Sequence, residues 1–190
     1  AIAATVVGWY LLSGAGRQKE QAMSQQFQMN LQLGADRVNS AVEASRLPSY
    51  DPELRDGWNQ YRRDGNHAML YRRYSALFGR LYQSDSRFLY GVFRFAGDPE
   101  DLSITVVNGS SGLLYNQVQE RWALDAGPVL ELASGLDTTV GFLEREGRLY
   151  LVRNLMDAGY RPIGTLALAL DPAYFFGDLS LLPWASAVSV

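Results

Sequence analysis

The chain has 190 residues, of which 47% are hydrophobic and 12% aromatic; this composition can build one packed domain and excludes a disordered chain. Its formal net charge of −3 lacks the basic surplus of a nucleic-acid-binding face, so we expect no nucleic-acid partner. The absence of cysteine excludes disulfides, thiolate zinc sites and a cysteine nucleophile. The single histidine, His67, stands without clustered carboxylates, so we expect neither a metal site nor a cofactor.

Both ends of the chain are apolar. Residues 1–12 (AIAATVVGWYLL) and 179–190 (LSLLPWASAVSV) carry no ionisable side chain. A helix that spans a bilayer needs about 20 apolar residues, so each end is too short to span by itself. We interpret residues 1–16 as the remnant of a membrane anchor or its interface, and residues 179–190 as the start of a second membrane span. A signal-peptide remnant and buried core elements are the alternatives.

Residues 17–86 are predicted to form an N-terminal helical region. Its first element is a long helix over Arg17–Arg46, since apolar side chains recur every three or four residues and no proline interrupts the pattern before Pro48. A helix of this length also offers a stalk or a dimer seam, so we expect a homodimer, with a plain core helix as the alternative. Two shorter helices are predicted to follow: one starts at Asp51-Pro52 and ends at Asp64-Gly65, and one runs from His67 to Gln83.

Residues 87–178 are predicted to form a sheet domain, because the apolar pattern changes to a period of two. An extended piece at Leu113–Tyr115 and a mixed segment, with a short helix between Pro128 and Gly135, are expected to interrupt the strands. Hairpin-length connections, such as Glu146-Gly147, indicate that the last strands are antiparallel. The predicted strands are Phe88–Ala96, Leu102–Val107, Thr138–Arg145, Arg148–Leu155 and Pro162–Leu170, and a short helix then runs from Asp171-Pro172 to Gly177.

This order of elements resembles the Cache-type sensor domains, which are extracytoplasmic relatives of PAS domains. The resemblance covers Arg17 to Gly177. The stretches ITVVNGSSGLLYN (Ile104–Asn116) and FLEREGRLYLVRNLMDAGYRPIGTLALALDPAYFF (Phe142–Phe176) are similar to the family's strand–turn–strand segment and to its closing hairpin, last strand and exit helix. The resemblance implies an α+β fold: a long N-terminal helix packed on a five-stranded antiparallel PAS-like sheet, with a short C-terminal helix. It also implies a pocket on the other face of the sheet, roofed by the segment between the second and third strands.

The resemblance further implies an extracytoplasmic ligand-sensing domain, held at the cell membrane by flanking spans. The whole protein would then be a transmembrane signal-transduction protein, most readily a two-component sensor histidine kinase. The implied ligand is a small molecule of the amino-acid or organic-acid class. The alternatives are a chemoreceptor, a cyclic-dinucleotide enzyme, and an anchored binding module without signalling output.

We expect no catalytic residue in this region. His67 has no evident Ser or Asp partner in the sequence. The glycine-rich run at residues 109–112 lacks the Lys-Ser/Thr of a phosphate-binding loop.

The first candidate for ligand binding is Arg121, because a guanidinium can clamp a carboxylate through two hydrogen bonds. Some amino-acid-binding members of the family carry a Tyr, and then an Arg followed closely by Trp and Tyr. Tyr115, Arg121 and Trp122 fall in the corresponding region, but Ala123 stands where the second aromatic would follow. We therefore do not carry amino-acid binding over to this chain. The alternative is an exposed arginine beside a core tryptophan.

A second set of candidates lies on the predicted strands. Arg94 is expected to share a strand face with Phe88, Tyr90 and Val92, and an arginine on an apolar face is either paired or faces a cavity. Arg153 is expected to lie with Leu149 and Leu151, whereas Tyr150 and Asn154 on the opposite face offer hydrogen bonds. The alternative for all of them is a strand end that reaches water.

Overall fold

The computed structural model describes residues 2–97, 102–137 and 139–177, and of residues 2–23 it describes the backbone alone. Residues 39–175 form one compact unit that contains the sheet, and residues 2–38, 176 and 177 belong to a second unit. None of the helices in these described ranges combines the length and the apolar character needed to cross a membrane. The predicted second span at residues 179–190 lies outside the described residues. The elements are α1 Ile2–Tyr50, α2 Pro52–Asp64, α3 His67–Tyr82, β1 Phe88–Phe95, β2 Ser103–Val107, α4 Tyr115–Ser134, β3 Val140–Arg145, β4 Arg148–Met156, β5 Pro162–Leu170 and α5 Pro172–Phe176.

The five strands form one sheet in the order β2-β1-β5-β4-β3. Each neighbouring pair is antiparallel. Together with the long α1 and the short α5, this sheet confirms the predicted α+β PAS-like fold.

One face of the sheet packs against α3 through aromatic rings. The Phe93 ring on β1 lies 4.8 Å from the Phe78 ring and 5.8 Å from the Tyr74 ring, measured between centroids. Phe93, Tyr74 and Phe78 are almost completely buried. Burying aromatic rings of this size is a major contribution to core stability, because each removes a large apolar area from water.

The other face of the sheet is covered by α4. Because side chains alternate along a strand, every second residue of β1, β4 and β5 points toward this helix. The resulting buried cluster contains Tyr90, Val92, Val118, Trp122, Val129, Ala133, Tyr150, Val152, Ala167 and Ala169.

The C-terminal turns of α1 are bonded to the α3 side of the compact unit. The Tyr82 hydroxyl donates to the Ala44 carbonyl at 3.1 Å, and the guanidinium of Arg87 donates to the Ser40 carbonyl at 2.8 Å. Arg153 on β4 donates through Nε to the Ser45 hydroxyl at 2.8 Å. These bonds join α1 to α3, to the residue before β1 and to β4, so this part of α1 belongs to the core.

The start and the end of α2 follow the local signals in the sequence. The Asp51 carboxylate accepts from the Glu53 N–H at 2.9 Å, which satisfies a donor at the helix start. Gly65 ends the helix with φ +65°, a left-handed conformation that glycine adopts without strain. Asn66 caps α3 by accepting from the Met69 N–H at 3.0 Å.

The predicted end of the first helix at Arg46 is wrong, because α1 continues through Pro48 to Tyr50. A proline within a helix leaves the carbonyl four residues earlier without its usual N–H donor. For Pro48 that carbonyl belongs to Ala44, and the Tyr82 hydroxyl of α3 supplies the donor instead. A long-range hydrogen bond thus compensates for the proline.

The predicted extended piece at Leu113–Tyr115 and the mixed segment after it are also wrong, since Tyr115–Ser134 forms a single helix of 20 residues. Pro128 lies inside it and leaves the Leu124 carbonyl without a main-chain donor. Leu124 is an exposed residue, so water can satisfy that carbonyl. The third strand begins at Val140, and residue 138 lies outside the described part of the chain.

The prediction that Phe88 shares a strand face with Tyr90 and Arg94 is wrong. The pairing of β1 with β5 shifts register between Phe88 and Tyr90, and an irregularity of this kind changes the side to which a side chain points. The Phe88 ring accordingly lies 5.6 Å from the Tyr82 ring on the α3 side, whereas Tyr90 belongs to the cluster under α4.

Candidate functional site

Four polar side chains meet beneath α4, and we call them the Asp125 cluster: Tyr90, Arg121, Asp125 and Tyr150. Oδ2 of Asp125 accepts from Nε of Arg121 at 2.6 Å and from the Tyr150 hydroxyl at 2.6 Å. The Tyr150 hydroxyl is in turn hydrogen-bonded to the Tyr90 hydroxyl. The Asp125 side chain is only 1% exposed, so these bonds offset the cost of burying its charge.

Arg121 also bonds to the β3–β4 hairpin. Its Nη1 donates to the Glu146 carboxylate at 2.8 Å and its Nη2 donates to the Arg145 carbonyl at 3.3 Å. Its hydrogen bonds to Asp125 and Glu146 raise the pKa of Arg121. The residue predicted to clamp a ligand carboxylate therefore holds two carboxylates of its own chain.

Burial keeps the hydroxyl of Tyr150 protonated. It raises the pKa of Tyr150, and the hydrogen bonds to Asp125 and Tyr90 raise that pKa further. The hydroxyl thus remains a donor to Asp125. Trp122, the next candidate, is buried in the apolar cluster between α4 and the sheet. This position agrees with the alternative interpretation, in which Trp122 is a core residue.

The implied pocket beneath α4 is occupied by the side chains of the Asp125 cluster and by the apolar residues around it. A shallow cavity of about 400 Å³ lies instead along the exposed edge of α4, where Gln117, Arg121, Leu124 and Arg148 line part of it. Nη1 of Arg148 donates to the Tyr90 hydroxyl at 3.3 Å, so this cavity borders the cluster without opening it.

Tyr115 and Arg94 are not part of the Asp125 cluster. Tyr115 is the first residue of α4 and is exposed. Arg94 is half-buried near the end of β1, in register with Ser103 on one side and Thr165 on the other. The structure therefore brings together Arg121, Trp122, Tyr90 and Tyr150, and it leaves Tyr115 and Arg94 outside.

Asn154 fixes the C-terminal end of α4 to the sheet. Its Nδ2 donates to the carbonyls of Ala133 at 2.7 Å and Leu136 at 2.8 Å, and its Oδ1 accepts from the Thr165 hydroxyl at 2.9 Å. These three bonds engage both ends of the amide, so the side chain positions α4.

Arg153 lies on the opposite face of the sheet from Tyr150 and Asn154, as strand alternation predicts. Besides its bond to Ser45, its Nη2 lies 3.5 Å from the Val42 carbonyl. Arg153 is only 5% exposed, and burial, followed by the nearby Arg46, lowers its pKa.

Arg153 forms part of a cleft of about 620 Å³ between the end of α1 and the β4–β5 turn. We call it the α1 cleft. Its lining residues are Arg46, Ser49, Tyr50, Arg153, Asn154, Met156, Asp157, Ala158 and Tyr160.

Two buried carboxylates were missed at the sequence level. Asp125 stands four residues after Arg121, a spacing at which opposite charges meet on a helix, but the sequence analysis expected a helix only from Pro128 onward. Asp157 follows β4 in a turn, and its carboxylate accepts from the N–H groups of Gly159 at 2.8 Å and Arg161 at 3.0 Å.

Among the residues that the structure describes, no group of three or more His, Asp or Glu side chains could hold a metal ion.

The fold places the chain among α+β PAS-like domains, with a polar cluster closed beneath α4 and an open cleft beside α1. No model of a protein family matches the chain, and no curated protein matches it.

Several solved structures are similar to it, and two of them are described here. One is the extracellular domain of vpHK1S-Z8, described as a histidine kinase, with 14% identity, a TM-score of 0.45, and coverage of 87% of this chain and 64% of that one. The other is a domain of a protein from Vibrio parahaemolyticus described as of the sensory box/GGDEF family, with 14% identity, a TM-score of 0.39, and coverage of 82% and 62%. This chain thus spans less than two thirds of each structure. At this level of similarity neither likeness carries an argument about function.

Proposed function

We propose that this chain is the extracytoplasmic ligand-sensing domain of a transmembrane signal-transduction protein, with a two-component sensor histidine kinase as the first candidate. A chemoreceptor and a cyclic-dinucleotide enzyme are the alternatives that share this role. The region itself is non-catalytic in this proposal. Its ligand is a small molecule of the amino-acid or organic-acid class, and it is held at the cell membrane by the apolar segments 1–16 and 179–190.

The observation that carries the proposal is the attachment of α1 to the core. Ser40, Ala44 and Ser45 all bond to residues of the compact unit, and the same helix includes the apolar residues that follow Ile2. A ligand shifts a conformational equilibrium only through a difference in its affinity for the two states. If those states differ in how these bonds hold α1, ligand binding acts directly on the helix that leads to the apolar segment.

The exposed apolar side chains of α1 support a homodimer. Phe27 and Leu31, which lie four residues apart and therefore on one face of the helix, are both exposed. In the proposed dimer these side chains pack against the same helix of a second copy, which removes their apolar surface from water.

The ligand part of the proposal is tested by thermal unfolding of the chain in the presence of amino acids, organic acids, sugars and amines. A compound at 100 times its dissociation constant stabilises the folded state by about 2.7 kcal/mol. A rise in melting temperature with one chemical class supports a sensor. A panel with no stabilising class contradicts the small-molecule ligand.

The location is tested with single cysteines, because the chain has none of its own. Ser110→Cys places a thiol at an exposed position, and Val152→Cys places one in the core. A membrane-impermeant maleimide applied to intact cells is expected to label Cys at 110 and to spare Cys at 152. Labelling at 110 only after lysis would contradict an extracytoplasmic domain.

The gene sequence after Val190 decides between the output classes. A further stretch of about 10 apolar residues is expected under all the signalling alternatives. A following dimerisation domain with a phosphoacceptor histidine supports the kinase, and a long heptad coiled coil supports the chemoreceptor. A gene without the second span would support the anchored binding module.

A further inference from the structure

The α1 cleft has the size of a small-molecule site, and its lining residues include none of the four residues of the Asp125 cluster. Its volume of about 620 Å³ falls within the range of ligand pockets in proteins. The last paired residues of β3 and β4 are Val140 and Arg153. The cleft borders the part of β4 that follows Arg153, where β3 no longer pairs with it. Its other wall is the last turn of α1, from Arg46 to Tyr50.

Two arginines give this cleft a positive character. Arg153 is only 5% exposed, and a buried cation is stabilised by nearby negative charge. Arg46 forms an ion pair with Glu43 at 3.0 Å, but both side chains are largely exposed, so the pair contributes little. Burial, and after it the positive charge of Arg46, lower the pKa of Arg153, whereas Glu43 raises it. An anion between the two guanidinium groups would add to the negative charge that stabilises Arg153.

Among the described residues that line the cleft, the one carboxylate is that of Asp157, and it is engaged in its own turn. Besides the N–H groups of Gly159 and Arg161, it accepts from Nε of Arg161 at 2.9 Å. Arg62 lies 3.8 Å from the same carboxylate. The charge of Asp157 is therefore balanced by the turn and by α2, and Arg46 on α1 and Arg153 on β4 determine the sign of the cleft.

Two exposed tyrosines flank the cleft. The exposed fraction is 75% for Tyr50 and 81% for Tyr160. Tyr160 has φ +58°, a left-handed conformation that costs energy for a bulky residue. Because the Tyr160 ring is so exposed, its packing offsets little of the energy that this backbone conformation costs. Residues with strained backbones are concentrated at ligand sites.

We propose that the α1 cleft binds a small organic anion, namely a carboxylate on an aromatic ring, with Arg46 and Arg153 holding the carboxylate and Tyr50 and Tyr160 contacting the ring. This site deepens the proposed sensor function and rests on it. Because the ligand contacts the last turn of α1 and the β4–β5 turn at once, its binding changes how tightly α1 is held to the sheet.

Calorimetric titration of the 190-residue chain with benzoate, and with benzamide as its uncharged analogue, tests this proposal. Benzoate is expected to bind, and benzamide to bind at least about tenfold more weakly, since it lacks the charge-assisted hydrogen bonds. Arg46→Gln and Tyr160→Asn change exposed side chains and are each expected to weaken benzoate binding about tenfold or more. Arg72→Gln, at an exposed position of α3, is the matched control and is expected to leave it unchanged.

Several results would overturn the site. Equal affinities for benzoate and benzamide, or equal effects of Arg46→Gln and Arg72→Gln on benzoate affinity, would show that this cleft is not an anion-binding site. Loss of binding in Arg121→Gln, with Arg46→Gln unaffected, would place the ligand at α4 instead. If neither probe binds, the proposed site is wrong, and the broader thermal panel then shows separately whether the sensor function survives.

Discussion

Asp125 on α4 and Tyr150 on β4 are joined by a hydrogen bond of 2.6 Å between the tyrosine hydroxyl and Oδ2 of the carboxylate. The bond lies within an otherwise apolar cluster, where a polar group without a partner is costly. It therefore fixes the position of α4 over the sheet as well as contributing to stability. The same carboxylate orients Arg121, so the most prominent candidate for ligand binding has a structural role.

Removing the carboxylate is expected to destabilise the fold. Asp125→Ala leaves the Tyr150 hydroxyl and the Nε of Arg121 without their acceptor and should lower the free energy of unfolding by about 3 kcal/mol. Urea denaturation measures this change. Glu120→Ala, at an exposed position on the same helix, is the control and should stay within about 0.5 kcal/mol of the wild type.

A double-mutant cycle separates the Asp125–Tyr150 bond from the rest of the cluster. Tyr150→Phe removes the hydroxyl and keeps the buried ring. The cycle with Asp125→Ala should show a coupling energy of about 1 kcal/mol or more, because the two groups are in direct contact. Additive effects would mean that the bond does not contribute to stability.

The sequence was sufficient for elements whose ends are set by neighbouring residues. Asp51 and Gly65 act as the caps that their positions predict, and hairpin-length connections correctly indicated the antiparallel strands. The sequence did not predict the full extent of α1 and α4, which contain an interior proline, because the carbonyl that lacks its N–H donor is satisfied there by a distant side chain or by solvent. The donor that replaces the missing N–H of Pro48 comes from Tyr82, and no local pattern could indicate that bond.

The candidate site was predictable in its parts but not in its arrangement. Strand alternation correctly separated Arg153 from Tyr150 and Asn154, since side-chain direction on a regular strand is a local property. The partners of these residues are not local: Asp125 is 25 residues from Tyr150, and Ser45 is 108 residues from Arg153. Only the folded chain therefore shows that Arg121 is occupied and that the α1 cleft exists.

Gly164 on β5 is expected to tolerate no side chain. A Cβ at this position would clash with the main-chain carbonyl of Arg94 and lie 2.5 Å from the buried Phe93 ring. Neither neighbour can move without disturbing the sheet, so Gly164→Ala should lower the free energy of unfolding by about 3 kcal/mol.

Gly79→Ala in α3 is the matched control. Its nearest contact is an ordinary 3.8 Å to the Gln83 side chain, and alanine favours the helix, so stability should rise by about 0.5–1 kcal/mol. A Gly164→Ala variant as stable as the wild type would argue against the close approach at Gly164.

Asp157 is expected to make stability depend on pH in the acid range. Hydrogen bonds from the Arg161 N–H and guanidinium, and from the Gly159 N–H, hold the pKa of Asp157 below its ordinary value. A carboxyl whose pKa is lower in the folded state stabilises the fold fully above the unfolded pKa of about 3.9, and loses that contribution as the pH falls through the folded pKa.

Asp157→Asn should thus be less stable than the wild type at about pH 6, and the difference should narrow below about pH 4. Urea midpoints measured across this range test the prediction, with Asp56→Asn at an exposed position as the control. A difference that widens toward acid pH would contradict it.

Tyr160 is expected to cost the turn stability because of its backbone conformation. The Tyr160 N–H donates to the Asp157 carbonyl at 3.0 Å and the Asp157 N–H donates to the Arg161 carbonyl at 2.8 Å, so the turn holds residue 160 at its positive φ. Asparagine adopts this region more readily than other residues apart from glycine. Tyr160→Asn should therefore be more stable than Tyr160→Ala by about 0.5–1 kcal/mol in urea denaturation. Both variants remove the exposed ring, so the difference between them isolates the backbone. Equal stabilities would show that the left-handed conformation is unstrained, which would remove one of the supports for a ligand site in the α1 cleft.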